Sequence, residues 1–109
     1  MYIKVEAARL GGTSLQAEVS ASPSQLVALF GRPAEEKWDS ESLGAYYFLG
    51  EDELVFAVYH RAHDQSEMEL KLLRASFWEQ DQEVDFSIAA KSEATAISFK
   101  NWLKSQLTK

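Results

Sequence analysis

The chain has 109 residues, 46% of them hydrophobic and 26% charged, and no cysteine. That length suits one domain around one core, burying roughly two-thirds of the surface the unfolded chain exposes. The composition excludes a disordered or fibrous chain, and no disulfide or thiolate metal site can assist the fold.

No stretch approaches the roughly 20 consecutive apolar residues that span a bilayer. The start, Met1-Tyr2-Ile3-Lys4-Val5-Glu6, alternates apolar and charged and does not read as a secretory signal. A cytoplasmic single domain over residues 1–109 is therefore expected. Net charge is −6, unevenly spread. Residues 35–85 hold 14 acids against the four bases Lys37, Arg61, Lys71 and Arg74, a balance of −10. The rest holds three acids, Glu6, Glu18 and Glu93, against seven bases, a balance of +4. Such a field repels a phosphate backbone, which argues against direct nucleic-acid binding and leaves a basic protein as an allowed partner. Solubility alone is the competing explanation of the charge.

In chain order, Ile3, Val5 and Ala7 alternate with Lys4, Glu6 and Ala8, the period of a half-buried strand. Gly11-Gly12 is a hairpin signal, since glycine tolerates positive φ. A second alternation follows, with Leu15, Ala17, Val19 and Ala21 on one face and Ser14, Gln16, Glu18 and Ser20 on the other. The two strands are expected to pair. Ser22-Pro23-Ser24-Gln25 then reads as a capping box, with Ser22 at the N-cap and Pro23 at the first helical position. The short helix it opens carries Leu26, Leu29 and Phe30 on one face. Gly31 closes it and Pro33 prevents a restart.

Residues 34–44 are polar and acidic around Trp38 and read as a loop or an irregular approach to a strand. The runs Ala45-Tyr46-Tyr47-Phe48-Leu49 and Leu54-Val55-Phe56-Ala57-Val58-Tyr59, separated by Gly50-Glu51-Asp52-Glu53, predict a hairpin. Apolar residues on both faces predict central strands covered at least partly on the second face. Segment 66–78 is ambiguous. Ser66 and Glu69 have capping-box spacing, and its residues are helix formers. At helical spacing, however, its apolar side chains point nearly all round, whereas Met68, Leu70 and Leu72 alternate with Glu67, Glu69 and Lys71. The alternation favours a strand. Val84, Phe86, Ile88 and Ala90 mark a further strand. Ser92 caps a last helix to about Leu107, with Ala96, Phe99, Trp102, Leu103 and Leu107 on its apolar side. The predicted order is β-β-α-β-β-β-β-α, an α+β fold with a mostly antiparallel sheet and two helices packed on one face.

Chemistry is sparse. There is no Gly-x-Ser-x-Gly elbow and no phosphate-binding glycine loop, and no carboxylate pair is selected by spacing, so a non-enzyme without cofactor is expected. His60, His63 and Asp64 are the one cluster of metal-ligand type, and a turn near Arg61 would have to bring them together. A solvated loop is the favoured explanation of the three. The chain carries three Trp, four Tyr and six Phe. So small a core is not expected to bury all of Tyr46, Tyr47, Tyr59, Trp38 and Trp78, and exposed Tyr and Trp beside acids suit a docking surface. Packing under the helices and along the sheet edges is the alternative, and the balance tips slightly toward it.

The stretch Leu26-Val27-Ala28-Leu29-Phe30-Gly31-Arg32-Pro33, a short helix ending Leu-Phe-Gly-x-Pro, resembles a loose group of small bacterial and phage-borne proteins. The likeness runs on through Tyr46–Tyr59 and Phe86–Leu103. Where members often carry Gly-Gly-His before the last helix, this chain has Ala89-Ala90-Lys91. The resemblance implies a bacterial or phage setting and no catalytic residues.

The functional expectation is a protein-binding domain, in its most concrete form an immunity or inhibitor protein for a basic partner. The candidate contact residues are Trp38, Asp39, Glu41, Glu51, Asp52 and Glu53. The alternatives are a small-ligand or metal domain using His60, His63 and Asp64, and a homo-oligomer such as a homodimer.

Overall fold

The computed structural model describes residues 2–5, 12–33, 42–61 and 67–108. Its elements are β1 (Ile3–Val5), β2 (Ser14–Ala21), α1 (Pro23–Phe30), β3 (Ser42–Leu49), β4 (Val55–Arg61), α2 (Glu67–Phe77), β5 (Val84–Ala90) and α3 (Glu93–Leu107). A short turn, Glu51–Glu53, joins β3 to β4. The five strands form one antiparallel sheet in the order β1-β3-β4-β5-β2, so the fold is α+β as its periodicities predict. Among the described residues no helix is long and apolar enough to cross a membrane.

Both capped helices form where their sequence signals lie. Ser22 Oγ accepts the Gln25 backbone N–H at 3.2 Å, and Gln25 Oε1 accepts the Ser22 N–H at 3.1 Å. Ser92 and Thr95 make the equivalent reciprocal pair at the head of α3. Each pair satisfies N–H groups that a helix start leaves without intrahelical partners. Gly31 ends α1 at φ 78° and ψ −179°, a region open essentially to glycine. The Tyr46 hydroxyl donates to the Gly31 carbonyl at 2.6 Å, tying the helix end to β3. Leu29, expected on the buried face, is exposed, and Leu26, Val27 and Phe30 make the core contact instead.

The main core lies between one sheet face and the helices. Tyr46, Phe48, Phe56, Val58, Phe86 and Ile88 meet Leu26 of α1 and Ala96, Phe99 and Leu103 of α3. Phe56 and Phe99 stack with centroids 4.7 Å apart and planes 9° from parallel. The opposite face is buried too, through Ala45, Tyr47, Ala57, Tyr59 and Ala89, with Val5 packed against them. The apolar runs of β3 and β4 thus mark central strands covered on both faces. Tyr46, Tyr47, Tyr59 and Trp78 are all buried, and Trp38, the fifth ring of that expectation, lies outside the described residues. Two buried faces give more interior than one. Alanines at 45, 57, 89, 90 and 96 leave room for the rings.

Three features differ from the sequence reading. First, β1 and β2 do not form a hairpin: they lie at opposite edges, β1 on β3 and β2 on β5. The half-polar strands take the edges because β3, β4 and β5 need cover on both sides. Tyr2 holds β1 in place, its ring 5.4 Å from Phe56, 5.2 Å from Phe99 and 5.1 Å from Trp102. Of the two glycines read as a hairpin turn, Gly12 takes φ 80° and Gly11 lies outside the described residues.

Second, β2 does not alternate throughout. Its register slips between Leu15, opposite Ala89, and Ala17, opposite Ile88. Gln16 is the extra residue of a bulge, and Leu15 moves to the second sheet face, where it is exposed.

Third, segment 67–77 is a helix, not a strand. Met68 and Leu72, which the alternation paired on a buried face, are 74% and 68% exposed. The segment contains no Val, Ile or Thr, so long unbranched side chains decide for helix over an alternation of Met and Leu. Ser66, read as its cap, lies outside the described residues. The C-terminal end anchors α2. Phe77 stacks on His60 at 5.1 Å, and Trp78 donates its Nε1–H to the Leu43 carbonyl at 2.9 Å. Gly44, at φ 134°, admits that indole: a Cβ there would lie 3.1 Å from Trp78 and from Pro33.

Candidate functional site

The β3–β4 connection is built from the register outward. Leu49 pairs with Val55, the Gly50 N–H donates to the Leu54 carbonyl at 2.8 Å, and the Leu54 N–H donates to the Glu51 carbonyl at 3.2 Å. Between them Asp52 sits at φ 56°, ψ 32° and Glu53 at φ 61°. Two consecutive left-handed residues match the right-handed twist of the flanking strands, which is why such turns usually carry Asn-Gly. Here the two positions hold Asp and Glu. Asp tolerates the left-handed region through its short polar side chain, but for Glu the conformation costs roughly 1 kcal/mol or more. Three consecutive exposed carboxylates also repel one another.

Two depressions flank this turn and share Glu51. The first, about 520 Å³, is lined by Ile3, Leu49, Gly50, Glu51 and Glu53. Ile3 and Leu49 are cross-strand partners on the second sheet face and stand 62% and 37% exposed. The second, about 390 Å³, lies between Asp52 and the first turns of α3, lined in part by Thr95, Ser98 and Tyr2. Gly50 lets the core close beneath the turn, because a Cβ there would come within 3.0 Å of Phe56 and 3.1 Å of Tyr2.

Other acids of the central segment serve the fold. Asp85 Oδ1 accepts the Ser20 hydroxyl at 2.7 Å, joining β5 to β2. Asp81 Oδ1 accepts the Ser24 hydroxyl at 2.6 Å, while the Ser24 N–H donates to the Gln80 carbonyl at 3.0 Å. These bonds fasten the approach to β5 onto the first turn of α1.

Of the residues the sequence nominated for partner contact, Glu51, Asp52 and Glu53 come together on one exposed turn. Trp38, Asp39 and Glu41 lie outside the described residues. Of the metal-type cluster, His60 is half-buried on β4. Its ring lies flat on Phe77 and edge-on to Phe86, and Nδ1 is 3.0 Å from the Asp85 carbonyl. A carbonyl only accepts, so Nδ1 carries the proton and Nε2 is the nitrogen left for another ligand. His63 and Asp64 lie outside the described residues.

Sequence reasoning missed Ile3 and Leu49. The alternation of β1 drew attention to Ile3 and Val5, but Tyr2 carries the core contact and its phase puts Ile3 on the other face. An aromatic at position 2, one step out of phase with the aliphatics, was the available signal.

A comparison with protein-family models finds no match, and a comparison with curated protein sequences finds none either.

Proposed function

We propose that the chain is a protein-binding domain that docks a basic partner on the acidic β3–β4 turn and the apolar depression beside it. The observation that carries this reading is the placement of Asp52 and Glu53 at left-handed positions next to exposed Ile3 and Leu49. Folding alone accepts Asp at the first of these positions but favours Gly over Glu at the second, and it favours an aliphatic pair under cover. An apolar contact with a negative rim is instead what a complementary basic surface needs. Tyr46, Tyr47, Tyr59 and Trp78 are buried, so among the described residues the apolar share of the contact falls to the aliphatic pair.

The most concrete form of the proposal is a cytoplasmic immunity or inhibitor protein of bacterial or phage setting. It would cover the positive surface with which an enzyme such as a nuclease holds its substrate. The negative field of residues 35–85 would speed encounter with such a partner and make the complex salt-sensitive.

The test is affinity capture from a lysate of the source organism at low and high salt. The wild type is run beside a variant carrying Glu51→Lys, Asp52→Lys and Glu53→Lys. A basic protein held by the wild type at low salt, released at high salt and not held by the variant supports the proposal. Equal retention by wild type and variant overturns it.

A further inference from the structure

We infer that the depression over Ile3 and Leu49 takes a single arginine or lysine side chain of the partner, its aliphatic stem on that pair and its cation at Glu53. This rests on the partner-binding reading above and specifies its chemistry. The depression combines two properties that select against most occupants. One part of its lining is apolar: Ile3 and Leu49 are paired across β1 and β3, and Gly50, next to Leu49, adds no side chain. The other part is acidic: Glu53, with Glu51 beside it, comes from the turn that closes β3 onto β4.

A purely aliphatic side chain would cover the apolar part but draw water away from the carboxylates without replacing it. An anion would be repelled. A compact hydrated cation would meet the carboxylates and leave the apolar part wet. A long side chain with an apolar stem and a charged head satisfies both parts at once, as lysine and arginine do when they lie along apolar surface with the head in a polar rim. A volume of about 520 Å³ accommodates one such chain in extended form. Arginine fits best, because its planar fork can donate to a carboxylate in a bidentate pair.

The probe is the acetylated, amidated tripeptide alanyl-arginyl-alanine, titrated into the full chain carrying ¹³C-labelled Ile and Leu methyl groups. Two control peptides replace arginine with norleucine and with citrulline. Saturating shifts of the Ile3 and Leu49 methyls are expected with arginine. Affinity should fall roughly tenfold for norleucine, for citrulline and for the Glu53→Gln variant, the loss of one charge-assisted contact. Equal binding of norleucine would make the site a plain apolar patch and overturn the inference. So would shifts confined to the turn amides, or none at all. Because Glu53→Gln removes charge without touching the apolar part, a parallel Ile3→Ser variant separates the two halves of the site: each should weaken arginine binding. If the methyls stay silent while capture still depends on the acidic turn, the pocket is lost and the docking face stands.

Discussion

The acids of the β3–β4 turn and those that lead into β5 belong to the same negatively charged segment, yet they are held in opposite ways. Asp81 and Asp85 each accept a serine hydroxyl at 2.6 and 2.7 Å, and through those bonds α1 and β2 are fastened to β5. Their charge is incidental to a structural contact. Asp52 and Glu53 sit at φ 56° and 61°, where Asp is accommodated at the first position but glycine is the easier choice at the second. The difference teaches that the summed charge of a segment says little about use. What separates a candidate docking acid from a structural one is whether the fold would be better off without it.

The largest effect that can break this comparison is on binding. Lysine at 51, 52 and 53 should weaken the complex roughly a hundredfold, about 2–3 kcal/mol, by turning attraction into repulsion. Asp81→Asn with Asp85→Asn should change affinity by less than about threefold, because those acids lie away from the turn. Calorimetric titration of both variants against the captured partner decides it. If the Asn pair weakened binding as much as the reversal, bulk charge and not the turn would be responsible.

Tyr46 sharpens the comparison from the side of groups the fold requires. Its hydroxyl donates to the Gly31 carbonyl at 2.6 Å, and burial pushes its ionisation well above the ordinary tyrosine value, with Arg32 opposing weakly. Tyr46→Phe should cost about 1–2 kcal/mol by urea denaturation near neutral pH. The pH dependence has a definite sign. Below about pH 10 the hydroxyl is neutral in both states; above it the unfolded chain ionises while folded Tyr46 keeps its proton. Stability therefore falls as pH rises past that point, and the gap between wild type and Tyr46→Phe should narrow there. A constant gap through the alkaline range would mean that the hydroxyl is not held as the structure has it.

Much of this fold is legible in the chain. The caps at Ser22 and Ser92, the aromatic hairpin and the apolar face of the last helix follow from spacing alone, because each is a local interaction between residues three or four apart or directly opposed. What failed was non-local. Nothing within residues 3–21 shows that β1 and β2 separate to opposite edges, since the contact that decides it joins Tyr2 to Phe56, Phe99 and Trp102. The bulge at Gln16 and the exposure of Leu15 arise from pairing with β5, which the alternation of β2 cannot register. Segment 67–77 was readable from its lack of β-branched residues, but its alternation of acids and aliphatics carried the opposite signal. At the site, the acidic turn was visible as a turn. Its left-handed geometry and the Ile3–Leu49 pair required the register of three strands.

Smaller effects test the structural acids themselves. Asp85→Ala and Asp81→Ala should each destabilise the chain by about 1 kcal/mol, the net worth of one exposed side-chain hydrogen bond. Ser20→Ala should reproduce Asp85→Ala, and the double variant should cost no more than either alone, since both remove one bond. Additive losses in a double-mutant cycle would show that the two side chains do not act through each other.

The smallest effect has the opposite sign. Glu53→Gly should stabilise the chain by about 0.5–1 kcal/mol: relief of the left-handed conformation is worth roughly 1–2 kcal/mol, offset in part by the greater freedom glycine has when unfolded. The urea midpoint should rise with an unchanged slope, because no buried surface is altered. Glycine at 85 should do the reverse, as it removes a bond and loosens a strand. Opposite signs at two acids of one charged segment are what a division between docking and structural carboxylates demands. A loss of stability at Glu53 would instead place that residue among the groups the fold needs and remove the reason for assigning it to a partner.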